Sequence, residues 1–137
     1  MRKLDDYLMI KHTPNGREFP YLDCWGLVCD VYREYLDIEL SEYTSLSHKT
    51  MSQGFCQERE NGNFIEVSEP RNFDIIAFFV HGRLYHVGIW LDRKILHTSE
   101  QKNCRYESLD RVSLSDKRFY RYVGNSGSKQ SRSQSGN

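Results

Sequence analysis

Cys24, His86 and His97 stand in the order and have the side-chain types that nucleophilic catalysis needs. A cysteine nucleophile reacts as thiolate, with a base to take and return protons and a third group to set the base's tautomer. Cys24 follows Asp23 at the head of an apolar run, Asp23-Cys24-Trp25-Gly26-Leu27-Val28. A helix starting there offers unpaired N–H groups and a dipole that favour an anion, which predicts a thiol with a lowered pKa. His86 is then the candidate base. His97, as a neutral imidazole, is the candidate orienter, accepting from His86 without adding a buried charge. The Cys24 backbone N–H is a candidate oxyanion donor. Singly, each residue has a plainer reading as a packing cysteine or a partly buried histidine. Their conjunction is what selects them.

Those residues need an α+β frame, with the nucleophile helix packed on a central antiparallel sheet. Asp23 is a suitable N-cap, and residues 24–40 contain no proline and only one glycine, Gly26. At about 100° per residue, Cys24, Leu27, Val28, Val31, Tyr35 and Ile38 share one arc, with Gly26, Asp30, Arg33 and Asp37 opposite. Cys29 falls at the border of the arc and reads as structural. Residues 73–80 are an apolar run of strand length, expected at the sheet centre and buried on both faces. A tight turn at His81-Gly82-Arg83 leads to a strand over 84–91, and Asp92-Arg93 turns into another over 94–99. If Asp92-Arg93 is a two-residue loop, Leu91 pairs with Lys94, Trp90 with Ile95, Gly88 with His97 and His86 with Ser99. His86 and His97 are then diagonal neighbours on one face, and Gly88 leaves room for an imidazole.

The rest of the chain carries weaker signals. Residues 1–11 read as a short amphipathic helix through Leu4, Tyr7, Leu8 and Lys11, stopped by the turn Thr13-Pro14-Asn15-Gly16. A loop is expected over 16–22 and irregular structure with one short helix over 41–69, where His48 and Cys56 read as ordinary surface or packing residues. Residues 119–123 read as a last strand. The chain is expected to be one domain over 1–123 with a disordered tail over 124–137, which has no apolar anchor.

With 19 basic and 19 acidic residues among 137, no net field favours nucleic acid or an anionic membrane. The longest apolar run is far below the roughly 20 residues of a membrane span, so no membrane insertion is expected. Asp5, Asp6 and Lys11 interrupt the first apolar residues, so the start does not read as an export signal. The chain is expected to be made in a cytoplasm. The four cysteines are expected as free thiols, and neither a C-x-x-C nor an H-x(3–5)-H pair suggests a metal.

The combination of Asp23-Cys24-Trp25-Gly26-Leu27-Val28, Asp74-Ile75-Ile76, His86-Val87-Gly88-Ile89 and His97 resembles the NlpC-type papain-like cysteine peptidases. The resemblance spans roughly residues 15–123 and implies a papain-like fold. It implies Cys24 as nucleophile, His86 as base and His97 as orienter, with no cofactor or metal. The implied reaction is hydrolysis of an amide bond in peptidoglycan stem peptides. Trp25, Gly16-Arg17 and Val31-Tyr32-Arg33 are similar to the branch found in tail-assembly and tail-tip proteins of phages, implying a virion tail location, tail-protein partners and action at the bacterial wall. A non-catalytic tail-tip or assembly subunit, or an amidase or acyltransferase of the same fold, are the alternatives. Two positions depart from the family. Phe73 replaces the glycine before the strand aspartate, suggesting a different turn, and His12 stands where a tyrosine is common.

Overall fold

The helix at residue 24 forms because Asp23 caps it: the Asp23 carboxylate accepts from the Gly26 N–H at 2.8 Å, satisfying one of the first-turn donors. A computed structural model describes residues 1–42 and 50–124, with the side chains of 50–52 left aside. In chain order the elements are α1 (Leu4–Tyr7), β1 (Lys11–His12), β2 (Arg17–Glu18), β3 (Tyr21–Leu22), α2 (Cys24–Leu36), α3 (Thr50–Glu60), β4 (Phe64–Val67), β5 (Ile75–Val80), β6 (Arg83–Leu91), β7 (Lys94–Ser99), β8 (Asn103–Glu107), a 3-10 turn (Leu109–Arg111) and β9 (Asp116–Tyr122). The fold is α+β. A six-stranded antiparallel sheet runs β4-β9-β5-β6-β7-β8, and β1, β3 and β2 form a small second sheet.

Strand β5 is central, between β9 and β6, and buried from Ile75 to Phe79, as its unbroken apolar run requires. Alternation divides its side chains. Ile75, Ala77 and Phe79 join Val87, Ile89 and Leu96 against α2, which contributes Leu27, Val28 and Val31. Ile76, Phe78 and Ile95 form a smaller cluster on the other face, closed by Trp90, Phe119 and residues around the 3-10 turn. The sheet therefore has a helix face and a far face.

Several expectations need correction. The first helix is one turn: Leu4 and Tyr7 turn inward, Leu8 and Met9 are exposed, and after the buried Ile10 the chain pairs with β3 from Lys11. The expected loop over 16–22 contributes β2 and β3. Helix α2 stops at Leu36, where Asp37 adopts a left-handed φ of 56°, not at residue 40. Gly26 and Asp30, opposite the apolar arc, are buried as well. A Cβ on Gly26 would lie 2.1 Å from the Gly16 carbonyl oxygen, and Asp30 receives Arg2 at 2.7 and 2.8 Å and the Tyr7 hydroxyl at 2.7 Å. The segment over 41–69 contains α3 but also β4, a sheet-edge strand. Cys56 is an exposed free thiol on α3. His48 and the expected tail from 125 onward lie outside the described residues.

Phe73 adopts a φ of 76°, in the left-handed region that favours glycine, and is held there by hydrogen bonds from its N–H to the Trp90 carbonyl and from the Tyr32 hydroxyl to its own carbonyl.

Candidate active site

Cys24 is the first residue of α2, and its N-cap is itself locked in place. Arg17 Nη1 donates to Asp23 Oδ1 at 2.6 Å and the Asn15 N–H to Oδ2 at 3.0 Å, both ends of that ion pair being about 8% exposed at the side chain. The loop preceding the helix is thus tied to the residue that starts it. Backbone N–H groups of Val87 and Trp25 point at the Cys24 sulfur. The Cys24 N–H itself makes no hydrogen bond among the described residues, leaving it open to an oxyanion.

Hairpin β6–β7 has the expected two-residue loop, with Asp92 and Arg93 at φ of 49° and 69°. Leu91 pairs with Lys94, Trp90 with Ile95 and Ile89 with Leu96, and the ladder ends there. Gly88–His97 and His86–Ser99 are not bridged, although the strands stay close at this point. A Cβ on Gly88 would fall 3.0 Å from the His97 Cβ and 2.7 Å from Ile95 Cδ1, so only glycine leaves the imidazole its place. Between β5 and β6 the register slips at Phe78/Phe79, leaving Tyr85 unpaired as a bulge just before His86. His86 then stacks on Phe78, with ring centroids 5.6 Å apart.

Both histidines lie on the far face. His86 Nε2 and His97 Nδ1 are 2.8 Å apart, a buried hydrogen bond that realises the diagonal placement. Cys24 belongs to the cluster on the helix face, and its sulfur meets β6 at the Val87 N–H, one residue beyond His86. Because Nε2 of His86 is occupied by His97, the nitrogen left on the backbone side of the ring is Nδ1. Among the described residues the Cys24 thiol forms no hydrogen bond to it. The structure brings the thiol and the His86 imidazole to adjacent residues of one strand without joining them.

Burial decides the charges. The Cys24 thiol is pushed up to about 12, chiefly by burial and then by the Asp23 carboxylate, against the smaller pull of the Val87 and Trp25 N–H groups and Arg17. The expected lowered pKa is therefore overturned, because the helix N-terminus acts on a sulfur removed from water. His86 is pushed down to about 3 by burial, aided by His97, Arg105 and His12. His97 is also held below its ordinary value by burial, with Glu107 opposing. Thiol and imidazole are a neutral pair at neutral pH.

Strand β8 adds two groups that sequence reading missed. Glu107 Oε2 is 2.7 Å from His97 Nε2 and accepts from Arg105 Nε at 2.9 Å; Arg105 Nη2 is 3.3 Å from His97 Nε2. The alternation Cys104 inward, Arg105 outward, Tyr106, Glu107 after the 94–99 strand was the available signal. His12, half-buried on β1, has Nδ1 3.3 Å from Thr98 Oγ1 and lies close enough to lower His86. Cys29 and Cys104 are buried free thiols, both raised by burial. Among the described residues no group of three His, Cys, Asp or Glu side chains is arranged to hold a metal, and no helix is long and apolar enough to cross a membrane.

A model of the NlpC/P60 family matches residues 11–126. The fold is similar to that of a solved structure, the crystal structure of the NlpC/p60 domain of peptidoglycan hydrolase SagA. That match has a TM-score of 0.54 and 20% identity, and covers 78% of this chain and 86% of that one. No curated protein matches this chain. Since the family match runs from β1 past the end of β9, and so through Cys24, both histidines and β8, the chain belongs to the NlpC/P60 family.

Proposed function

We propose that this protein is a cysteine peptidase that hydrolyses an amide bond of peptidoglycan stem peptides, with Cys24 as nucleophile, His86 as base and His97 as orienting residue. The observation that carries the proposal is the 2.8 Å His86–His97 hydrogen bond, which commits Nε2 and leaves Nδ1 for the thiol held at the neighbouring Val87 N–H. Family membership and the likeness to a peptidoglycan hydrolase domain support the substrate class.

The neutral pair implies general-base chemistry. His86 Nδ1 takes the thiol proton as sulfur attacks the carbonyl carbon, and the oxyanion forms near the Cys24 N–H at the helix start. The imidazolium gives its proton to the leaving nitrogen, so the amine departs and a thioester remains. His86 then takes a proton from water, the hydroxyl adds to the thioester, and collapse releases the acid and restores the thiol.

Residues Trp25, Gly16-Arg17 and Val31-Tyr32-Arg33 support a tail component of a phage or prophage, made in the host cytoplasm and acting at the wall from the virion. Detection of the chain by mass analysis of purified particles tests this location. A second reading, a non-catalytic tail-tip subunit, draws on the 5% exposure of Cys24. Digestion of purified peptidoglycan separates the two. The wild type is expected to release peptides whose masses identify the cut bond, and Cys24→Ala to release none while melting at the same temperature or higher. Equal digestion by both would remove Cys24 from the chemistry, and no digestion by either would favour the structural subunit.

A further inference from the structure

We propose that Glu107, braced by Arg105, is a positioning residue that determines which nitrogen of His86 acts as base, so that the working chain is Cys24, His86, His97 and Glu107 and does not end at His97. The inference rests on the reading of Cys24 and His86 as nucleophile and base.

In the β7–β8 ladder His97 pairs with Arg105 and Ile95 with Glu107, so Glu107 is the diagonal neighbour of His97 on the far face of the sheet. Burial pulls its carboxyl up, but the hydrogen bonds it receives from His97 and Arg105, together with their charge, outweigh this and hold it below the usual range. An ionised carboxylate only accepts. His97 Nε2, 2.7 Å away, must therefore carry the proton it donates, which leaves Nδ1 as an acceptor. The bond between His97 Nδ1 and His86 Nε2 then has one polarity: His86 donates. A neutral His86 with its proton on Nε2 has its lone pair on Nδ1. That is the state a base for Cys24 requires.

Arg105 sharpens the point. Its Nε serves Glu107 at 2.9 Å, while Nη1 is anchored on Ser99 Oγ at 3.1 Å and the Asn103 carbonyl at 3.2 Å. Its Nη2 reaches to 3.3 Å from His97 Nε2, too long to compete with the carboxylate but placed to donate if the carboxylate were lost. In that case every proton in the row shifts. His97 Nε2 accepts from Arg105, Nδ1 donates to His86 Nε2, and the His86 proton sits on Nδ1, where it blocks the thiol's transfer. Once His86 has taken the thiol proton, the Glu107 charge also favours the resulting cation through His97.

Glu107→Gln nearly preserves shape and tests the inference. Its kcat on peptidoglycan peptides is expected to fall by about 10²-fold, the scale of a general base's contribution, with KM and melting temperature little changed. Nitrogen-15 NMR of the wild-type imidazoles should show His97 protonated at Nε2 and His86 at Nε2, and the variant should show both protons moved to Nδ1. The double variant Glu107→Gln with Arg105→Met, which lacks the guanidinium and leaves the Gln amide free to turn its oxygen toward His97 Nε2, should regain part of the lost kcat. Wild-type spectra with His97 protonated at Nδ1 would overturn the inference regardless of any activity, and so would a Glu107→Gln protein with unchanged kcat and unchanged tautomers. Correct wild-type tautomers in a protein that digests no wall material would leave the positioning by Glu107 standing and remove the peptidase reading instead.

Discussion

At Cys24 the cap Asp23 is itself a buried negative charge beside the sulfur, and the sheet covers the thiol, so its protonation is set by depth of burial. With the thiol up at about 12 and His86 down at about 3, transfer of the proton to make an ion pair is unfavourable before substrate arrives. The thiolate absorbance of wild type minus Cys24→Ala is therefore expected to be flat from pH 6 to about pH 9. Thiolate signal at pH 6 would mean that a preformed thiolate–imidazolium pair, and not general-base transfer, starts the reaction.

Helix α2 carries Cys24, and its two ends respond to substitution in opposite ways. At the first turn Gly26 lets the Gly16 backbone approach to a distance at which a Cβ would sit 2.1 Å from its carbonyl oxygen, and neither partner there is a flexible side-chain tip. Gly26→Ala is expected to destabilise by about 1–3 kcal/mol, the usual cost of overpacking, and to lower activity by displacing the Asp23 cap. At the last turn the exposed Asp37 holds a left-handed φ of 56° that glycine adopts freely. Asp37→Gly is expected to stabilise by roughly 0.5–1 kcal/mol with activity unchanged. Thermal or urea unfolding of the two variants, paired with wall digestion, checks both signs. The same contrast explains which elements could be read from the chain. Strong periodicity and a cap identified α2, β5 and the β6–β7 hairpin, with the register of its Leu91–Lys94 and Trp90–Ile95 pairs. Strands β1 to β4 escaped because two to four residues carry no period, and β4 forms only against β9, distant in sequence. Strand β8, and with it Glu107, escaped because its outward residues are charged and their partner is a histidine across the sheet.

For the molecule as a whole, the division of the sheet into two faces links activity to stability. The helix face buries Cys24 and the apolar core, while the far face buries the His86–His97 pair against Phe78 and Ile95. Alternation in the sequence put the two histidines together, but which face α2 would cover depends on docking, which no local pattern encodes. Burying neutral histidines makes folding sensitive to acid. His86 binds a proton near pH 6.5 in the unfolded chain but only near about 3 when folded. Its contribution is therefore complete above pH 6.5 and is lost as pH falls toward 3, because the unfolded state takes up a proton that the folded state refuses. His97 and His12, also lowered by burial, act in the same direction. On the alkaline side the sign reverses: Cys24 ionises near 9 unfolded and about 12 folded, and Cys104 behaves alike, so stability declines above pH 9. Stability is thus expected to be greatest between about pH 6.5 and 9, with each buried histidine adding a slope of at most about 1.4 kcal/mol per pH unit on the acid side. Urea midpoints measured from pH 4 to pH 10 should trace this dome. His86→Gln, which can still donate to His97 but does not titrate, should flatten the acid limb by about one proton; an acid limb of unchanged slope would mean that His86 is charged in the folded protein and that the neutral pair is wrong.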